Sequence, residues 1–237
     1  MAKTTIPAGG IADDAISEEH IDATVITGST ALAATPDDTD EILISDGGTI
    51  KRIDYSYVKG GLVLLQDTTV SSAAANVTIG NATVLSSSYT NYILVGRMYP
   101  VASDGPHGML RVDTSGGTQT ADYKYTRIWN YSNSSDDDPR VDQDNSEGEI
   151  DNILGQSVHN THGCNFTLEF GEPNNTSTYM SILGKCWAHD SSPDVAHHYT
   201  AASWNGGTDA IVGLHIYFSS GNVATGRFKL YGYGGSA

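Results

Sequence analysis

The chain has 237 residues, and its 28 acidic residues outnumber its 12 lysines and arginines to give a net charge of −16 at pH 7. Phosphate backbones and anionic lipid headgroups repel an acidic chain, so the charge disfavours nucleic-acid binding and membrane-surface docking. A run of about 18 apolar residues, which membrane insertion would need, does not occur. Abundant Gly, Ser, Thr and Asn predict many turns rather than long helices.

The first segment of the chain has an unusual apolar spacing. Isoleucine occupies every fifth position at Ile6, Ile11, Ile16, Ile21 and Ile26, with small and acidic residues between. This spacing matches neither the helical period of about 3.6 residues nor the two-residue period of a strand. We interpret the segment as an extended strip that packs its isoleucines against a partner surface, which makes them the candidate oligomerisation site. A disordered tail with scattered isoleucines is the alternative.

A hairpin is predicted over residues 41–54. Asp46-Gly47-Gly48 separates two short apolar-rich stretches, and Asp-Gly favours a tight turn because glycine accepts positive φ. A lone two-stranded hairpin is marginally stable in water, so this one needs a surface to pack on. We therefore assign residues 1–60 to an extended attachment and oligomerisation segment. Lys59-Gly60-Gly61 is the predicted linker to a β-domain at 61–237.

Short strands with alternating apolar residues follow from Leu62 onwards. Their number, eight to ten, and their spacing predict an all-β fold, an antiparallel two-sheet sandwich of the jelly-roll type. Tyr92–Tyr99 and Met180–Trp187 are apolar on both sides, which predicts central strands with one face in the core and the other face covered. The residues predicted to face the core are Phe166, Leu168, Phe170, Val212, Leu214, Ile216, Phe218, Phe228 and Leu230.

Four stretches of the chain carry a resemblance to a known family. TPDDTDEILISDGGTIKRID at 35–54, which follows IADDAISEEHID at 11–22, resembles a segment that recurs in marine and cyanobacterial phage fibres. SSGNVATGRFKLYG at 219–232 resembles the closing strands of jelly-roll modules on phage tail fibres, and YILV at 92–95 resembles an earlier strand.

The resemblance implies a structural virion protein, made in the bacterial host cytoplasm. It also implies a homotrimer that binds other virion proteins through its N-terminal segment. The expected function is that of a tail fibre with a head that binds host-surface glycan. A ligand-free capsid decoration, head-fibre or baseplate component is the alternative, and a polysaccharide-cleaving tail enzyme is a third hypothesis.

One strand carries a row of aromatic residues. Tyr123, Tyr125, Trp129 and Tyr131 share one face by the two-residue period, and an exposed row of rings could stack on sugars. This row is the candidate glycan-binding site. Packing in the core or at a subunit interface is the alternative interpretation.

Two patterns raise the question of metal binding. The first is a group of histidines and cysteines whose spacing matches no standard zinc site: His159, His162 and Cys164, with Cys186, His189, His197 or His198 as a fourth ligand. The second is the acidic run at 136–151, which lacks the glycine and the terminal glutamate of a calcium loop. We predict no metal site and interpret the acidic run as a solvated loop.

Neither enzyme chemistry nor a disulfide framework is indicated. The sequence lacks G-x-S-x-G, H-E-x-x-H and P-loop motifs, so we predict a non-enzymatic protein without cofactors. Cys164 and Cys186 lie on predicted strands, where a thiol behaves as a small hydrophobic group. We expect folding to depend on neither cysteine.

Overall fold

The computed structural model divides into two compact units, Met1–Lys59 and Gly60–Ala237. It describes Gly10, Leu32, Ala34 and residues 28–30, 36–58, 61–101, 105–132, 140–189 and 194–235, with 140–147 as backbone alone. The five N-terminal isoleucines lie outside the described residues, as does most of the predicted linker. Within the described residues, no helix is long and apolar enough to span a membrane.

The predicted hairpin is present in the first unit. Strands β1 (Glu41–Asp46) and β2 (Thr49–Asp54) pair antiparallel in continuous register, and the single turn α1 (Tyr55–Val58) follows them. Gly47 and Gly48 form the turn with φ of 60° and 85°, the left-handed region that a side chain would disfavour. The hairpin confirms the interpretation of Asp46-Gly47-Gly48 as a turn.

The second unit is an antiparallel sandwich, and its larger sheet has eight strands in the order β3-β15-β5-β11-β12-β13-β8-β9. Long central strands pair here over seven to eleven residue positions, which fixes the direction of every side chain. The strands are β3 (Val63–Val70), β5 (Tyr89–Pro100), β8 (Tyr123–Tyr131), β9 (Arg140–Glu147), β11 (Cys164–Gly171), β12 (Ser181–His189), β13 (Val195–Trp204) and β15 (Val223–Gly235).

The smaller sheet has five strands in the order β10-β6-β14-β4, with β7 paired to β6. These strands are β4 (Val77–Ile79), β6 (Gly108–Thr114), β7 (Gly117–Thr118), β10 (Ile150–Gly155) and β14 (Ile211–Phe218). Both sheets contribute side chains to one hydrophobic core, as expected when two apolar faces pack together. The all-β sandwich predicted from the strand pattern is confirmed.

The predicted core register is also confirmed where alternation was clear. Phe166 and Leu168 on β11 and Leu214 and Ile216 on β14 have no solvent exposure. Phe170, Phe218, Phe228 and Leu230 are buried as well, whereas Val212 is partly exposed. Alternating strands were assigned correctly because the period of two leaves a single way to bury the apolar set.

Three expectations need correction. The described part of the second unit contains thirteen strands rather than eight to ten, because short strands such as β4 and β7 carry almost no periodic signal. Much of the predicted acidic loop is strand β9, paired to β8. The outward positions of β5 and β12 are exposed rather than covered, with Val95 and Trp187 accessible over 45% and 49% of their surface.

Both cysteines are free and buried on the inner face of the larger sheet. The Cys164 thiol lies 3.7 Å from the Met98 carbonyl oxygen, and the Cys186 thiol lies 3.6 Å from that of Asn152. Burial raises the pKa of Cys164 to about 12, so this thiol stays protonated and unreactive at neutral pH. Each side chain fills space as a small hydrophobic group.

Replacing both cysteines with alanine should leave the protein folded and lower the free energy of unfolding by roughly 1–3 kcal/mol, through lost packing alone. Urea unfolding followed by tryptophan fluorescence measures this difference. A chain that no longer folds without its cysteines would contradict the expectation.

Candidate functional site

The predicted aromatic row does share one face of β8, but that face points into the sandwich. Tyr123 has no exposure and Tyr125 is buried, whereas Trp129 and Tyr131 lie partly exposed near the end of the strand. The Tyr123 hydroxyl accepts a hydrogen bond from the Val112 amide at 2.8 Å, and burial raises the Tyr123 pKa to about 12. An exposed platform of four rings is therefore wrong: Tyr123 and Tyr125 are core residues.

Exposed aromatic residues lie instead on the opposite side of the same sheet. We call this surface the outer face and define it by the outward-pointing side chains of the larger sheet. Trp187 on β12 and Tyr199 on β13 are accessible over 49% and 52% of their surface. Register pairs Trp187 with His197 and Lys185 with Tyr199, so the two aromatic side chains are diagonal neighbours on one face.

Aliphatic and polar side chains extend this surface across neighbouring strands. Register places Val95, Thr167, Lys185, Tyr199 and Ile128 side by side on five consecutive strands. At about 4.8 Å between strands, this row is roughly 19 Å long. The row combines one ring, methyl groups and a cation on an exposed face of the sheet, and an exposed patch of this composition indicates a binding surface.

The outer face is cationic although the chain is strongly acidic. Five described cations point outward from it, against two described carboxylates, which leaves an excess of three positive charges on this surface. The cations are Arg97, Lys124, Lys185, Arg227 and Lys229, and the carboxylates are Asp67 and Glu169. A local field opposite in sign to the net charge favours an anionic partner at this face.

Ion pairs hold part of this cationic set in place. Arg227 donates two hydrogen bonds to Asp67, at 3.1 Å and 2.8 Å, and the guanidinium lowers the pKa of that carboxyl group. Lys185 pairs with Glu169 at 3.2 Å. Arg97 instead lies 4.9 Å from the centre of the Tyr99 ring and donates a hydrogen bond to the His162 carbonyl oxygen. Neither of these two contacts of Arg97 involves a carboxylate, so neither neutralises its positive charge.

The histidine and cysteine pattern does not come together as proposed for a metal triad. The ring of His162 lies 4.7 Å from that of His159 and 5.1 Å from that of His189, whereas Cys164 points into the core. His159 Nδ1 accepts a hydrogen bond from the Thr161 amide. Among the described residues, no three His, Cys, Asp or Glu side chains are grouped so as to hold a metal ion.

The described acidic residues near the end of the 136–151 run are engaged in ion pairs. Glu149 accepts a hydrogen bond from Arg111 at 2.6 Å. Asp151 lies 3.4 Å from His107 and 3.5 Å from Arg127, and these two partners hold the pKa of Asp151 below its ordinary value despite its burial. Asp151 thereby links β10 of the smaller sheet to β8 of the larger sheet, and Glu149 links the start of β10 to β6.

No protein-family model, curated protein or solved structure matches this chain. The assignment of a site therefore depends on geometry and chemistry. Sequence reasoning missed Trp187 because Met180–Trp187 was interpreted as a strand with both faces covered, and it assigned no face to Tyr199. The available signal was the phase of the polar residues: Lys185 and Trp187 alternate with Cys186 and Ala188, and a lysine in phase with an aromatic residue indicates a solvent-facing side.

Proposed function

We propose that this chain is a non-enzymatic, fibre-type structural protein of a phage particle, and that its sandwich domain attaches to a host-surface glycan through the outer face. The observation that carries the attachment role is the exposed pair Trp187 and Tyr199 beside Lys185. The proposed virion assignment rests on the resemblance of residues 11–22, 35–54, 92–95 and 219–232 to phage fibres.

Ring stacking supports a sugar as the ligand. Aromatic faces contribute large contact area at small entropic cost, and tyrosine and tryptophan also keep a polar edge for water or hydroxyl groups. The flat array around Trp187 and Tyr199 matches an extended polymer better than a small buried ligand. The neighbouring Thr167 and His197 supply hydrogen-bonding groups at the same surface.

The charge of the outer face supports an acidic glycan in particular. Arg97, Lys124 and Lys185 can form ion pairs with carboxylate, sulfate or phosphate groups on a polysaccharide. The net negative charge of the rest of the chain limits nonspecific binding to other anions. Binding should therefore weaken as salt concentration rises, because exposed charge pairs are screened over about 10 Å at 0.1 M salt.

Attachment without cleavage is favoured by the arrangement of the carboxylates. Asp67 and Glu169 lie on β3 and β11, which are three strand spacings apart, or about 14 Å. Glycosidases hold their two carboxyl groups at about 5–9.5 Å. Both groups here are also held in ion pairs, with Arg227 and Lys185 respectively.

Trp187→Ala and Tyr199→Ala should each weaken binding of the full-length protein to an acidic polysaccharide by about tenfold or more, since aromatic side chains carry a large share of binding energy. Calorimetry with polygalacturonate and dextran sulfate, against neutral dextran, measures this. Tyr57→Ala is the matched control, because Tyr57 is 79% exposed but belongs to the first unit.

Equal affinity of the wild type and both outer-face variants would contradict glycan attachment through this surface. That result would favour the alternative, a ligand-free decoration, head-fibre or baseplate component. In such a component Val95, Leu183 and Ile128 would contact another virion protein.

A further inference from the structure

A concave site, separate from the outer face, lies at one end of the larger sheet, beside the loop that follows β11. Two adjoining depressions of about 240 Å³ and 360 Å³ share Thr90 and Glu172 in their walls. The lining includes Tyr89, Thr90, Glu172, Asn174, Asn175 and Tyr179. We call this site the loop groove. Its volumes fall near the lower end of the range for small-molecule sites, roughly 300 Å³.

The backbone of the loop groove is held by hydrogen bonds and is locally strained. Glu172 has a φ of 43°, in the left-handed region that side chains other than glycine seldom adopt. The Glu172 amide donates to the Thr90 carbonyl oxygen at 2.8 Å, and the Asn175 amide donates to the Glu172 carbonyl oxygen at 2.9 Å. Such strain at a residue that lines a concave site is a common mark of a functional position.

One residue of the lining, Asn174, has an acceptor without a donor. Asn174 Oδ1 is buried and has no hydrogen-bond partner, and leaving a buried polar atom unpaired is costly. The nearby Glu172 carboxylate accepts from Asn175 Nδ2 at 2.8 Å through one of its two oxygens. A ligand that supplies hydroxyl donors would satisfy the second carboxylate oxygen, and also Asn174 Oδ1 once the Asn174 side chain rotates toward the groove.

The lining also limits the charge and shape of the ligand. It holds two tyrosines, Tyr89 and Tyr179, together with hydroxyl and amide groups, but no lysine, arginine or histidine. The Glu172 carboxylate therefore repels an anion with no cation in the lining to offset it. Tyr179 is 52% exposed, so its ring is available to stack on a ligand at the mouth of the groove.

We infer that the loop groove is a binding site for a single neutral sugar unit, distinct from the outer face. Hydroxyl groups of the sugar donate to Asn174 Oδ1 and to the Glu172 carboxylate, and its ring packs against Tyr179. The groove favours hydroxyl donors and repels negative charge, whereas the cationic outer face attracts negative charge. This site does not depend on polysaccharide binding at the outer face.

Saturation-transfer NMR and titration of the full-length protein test this inference with glucose, galactose, N-acetylglucosamine and glucuronate as probes. At least one neutral sugar should bind in a saturable manner, and glucuronate should bind about tenfold more weakly than glucose. Tyr179→Ala and Asn174→Ala should each lower the neutral-sugar affinity about tenfold. Trp187→Ala should leave it unchanged.

Three results would overturn the inference: no saturable binding of any neutral sugar, equal affinity of Tyr179→Ala and wild type, or loss of binding in Trp187→Ala. The last would place the sugar on the outer face and thereby support the proposed function while refuting the second site. Conversely, polysaccharide binding that fails while a neutral sugar still binds would refute the outer-face proposal alone. Because Tyr179 is half exposed, its replacement tests the groove without depending on the packing of Asn174.

Discussion

Replacing Phe166 with alanine is expected to lower the free energy of unfolding by about 3–5 kcal/mol, the largest effect we predict for a single side chain. Phe166 has no solvent exposure and its ring centre lies 6.1 Å from that of Phe228. On the neighbouring strands its register partners are Gly96 and Cys186, so the ring covers the backbone of β5 with no competing side chain. Removing it leaves a cavity at the centre of the core.

Gly96 allows a second test of the same packing contact. A Cβ atom at Gly96 would overlap the Phe166 ring, so Gly96→Ala should also destabilise the protein. In the Phe166→Ala background the same methyl group enters the cavity, and its cost should largely disappear. Urea unfolding of the four proteins gives the coupling energy. Gly116→Ala is the matched control, since an added Cβ there meets only the Thr114 hydroxyl, at 3.5 Å. Additive losses in the double variant would contradict the proposed packing.

The second large effect concerns His198 and acidic pH. His198 is 1% exposed on the inner face of β13, and neither of its ring nitrogens has a hydrogen-bond partner. Its ring stacks on Trp129 at 5.9 Å. Burial, reinforced by the nearby positive charge of Arg127, lowers its pKa from 6.5 to about 4. The folded protein therefore holds this imidazole in its neutral form.

A histidine with a lowered folded pKa stabilises the protein above its unfolded pKa, and this stability is lost as pH falls. The unfolded chain takes up the proton near pH 6.5 whereas the folded chain resists it down to about pH 4. As the pH falls from about 6.5 to about 4, the free energy of unfolding should therefore decrease by roughly 3 kcal/mol because of His198.

Replacing His198 with phenylalanine should remove that part of the pH dependence. Denaturant unfolding at pH 7.5 and pH 4.5 measures it, with His197→Phe as the control because His197 is exposed on the other face of the same strand. The same loss of stability in wild type and His198→Phe would show that His198 is not the group responsible.

The sequence predicted the inner side of the sandwich better than its outer side. Alternation in β11 and β14 determined which residues are buried, because a strand with one apolar face can pack only one way. The environment of Trp187 was predicted wrongly, and that of Tyr123 was left open between an exposed row and the core, for a related reason. The strand that contains Trp187 has apolar residues on both faces, and the aromatic residues of the strand that contains Tyr123 are interrupted by Arg127. In such strands the periodicity alone does not indicate which face the other sheet covers.

No local sequence pattern could predict the loop groove. It joins Thr90 at the start of β5 to Glu172 after β11, residues that are far apart in sequence and meet only through the pairing of the two strands. The cationic character of the outer face is likewise a consequence of register. Its five cations come from four different strands, so the charge of this face is not apparent along the chain.

The most direct test of the proposed attachment function compares the full-length chain with residues 61–237 on a surface coated with acidic polysaccharide. Homotrimerisation through the isoleucine strip would present three copies of the outer face, and linked weak sites gain avidity through effective concentration. We predict equal affinity per site in solution, but dissociation of the full-length protein from the surface about 100-fold slower than that of 61–237. Size measurement should give a trimer for the former and a monomer for the latter. Identical dissociation rates, or a full-length chain that is monomeric, would contradict the account.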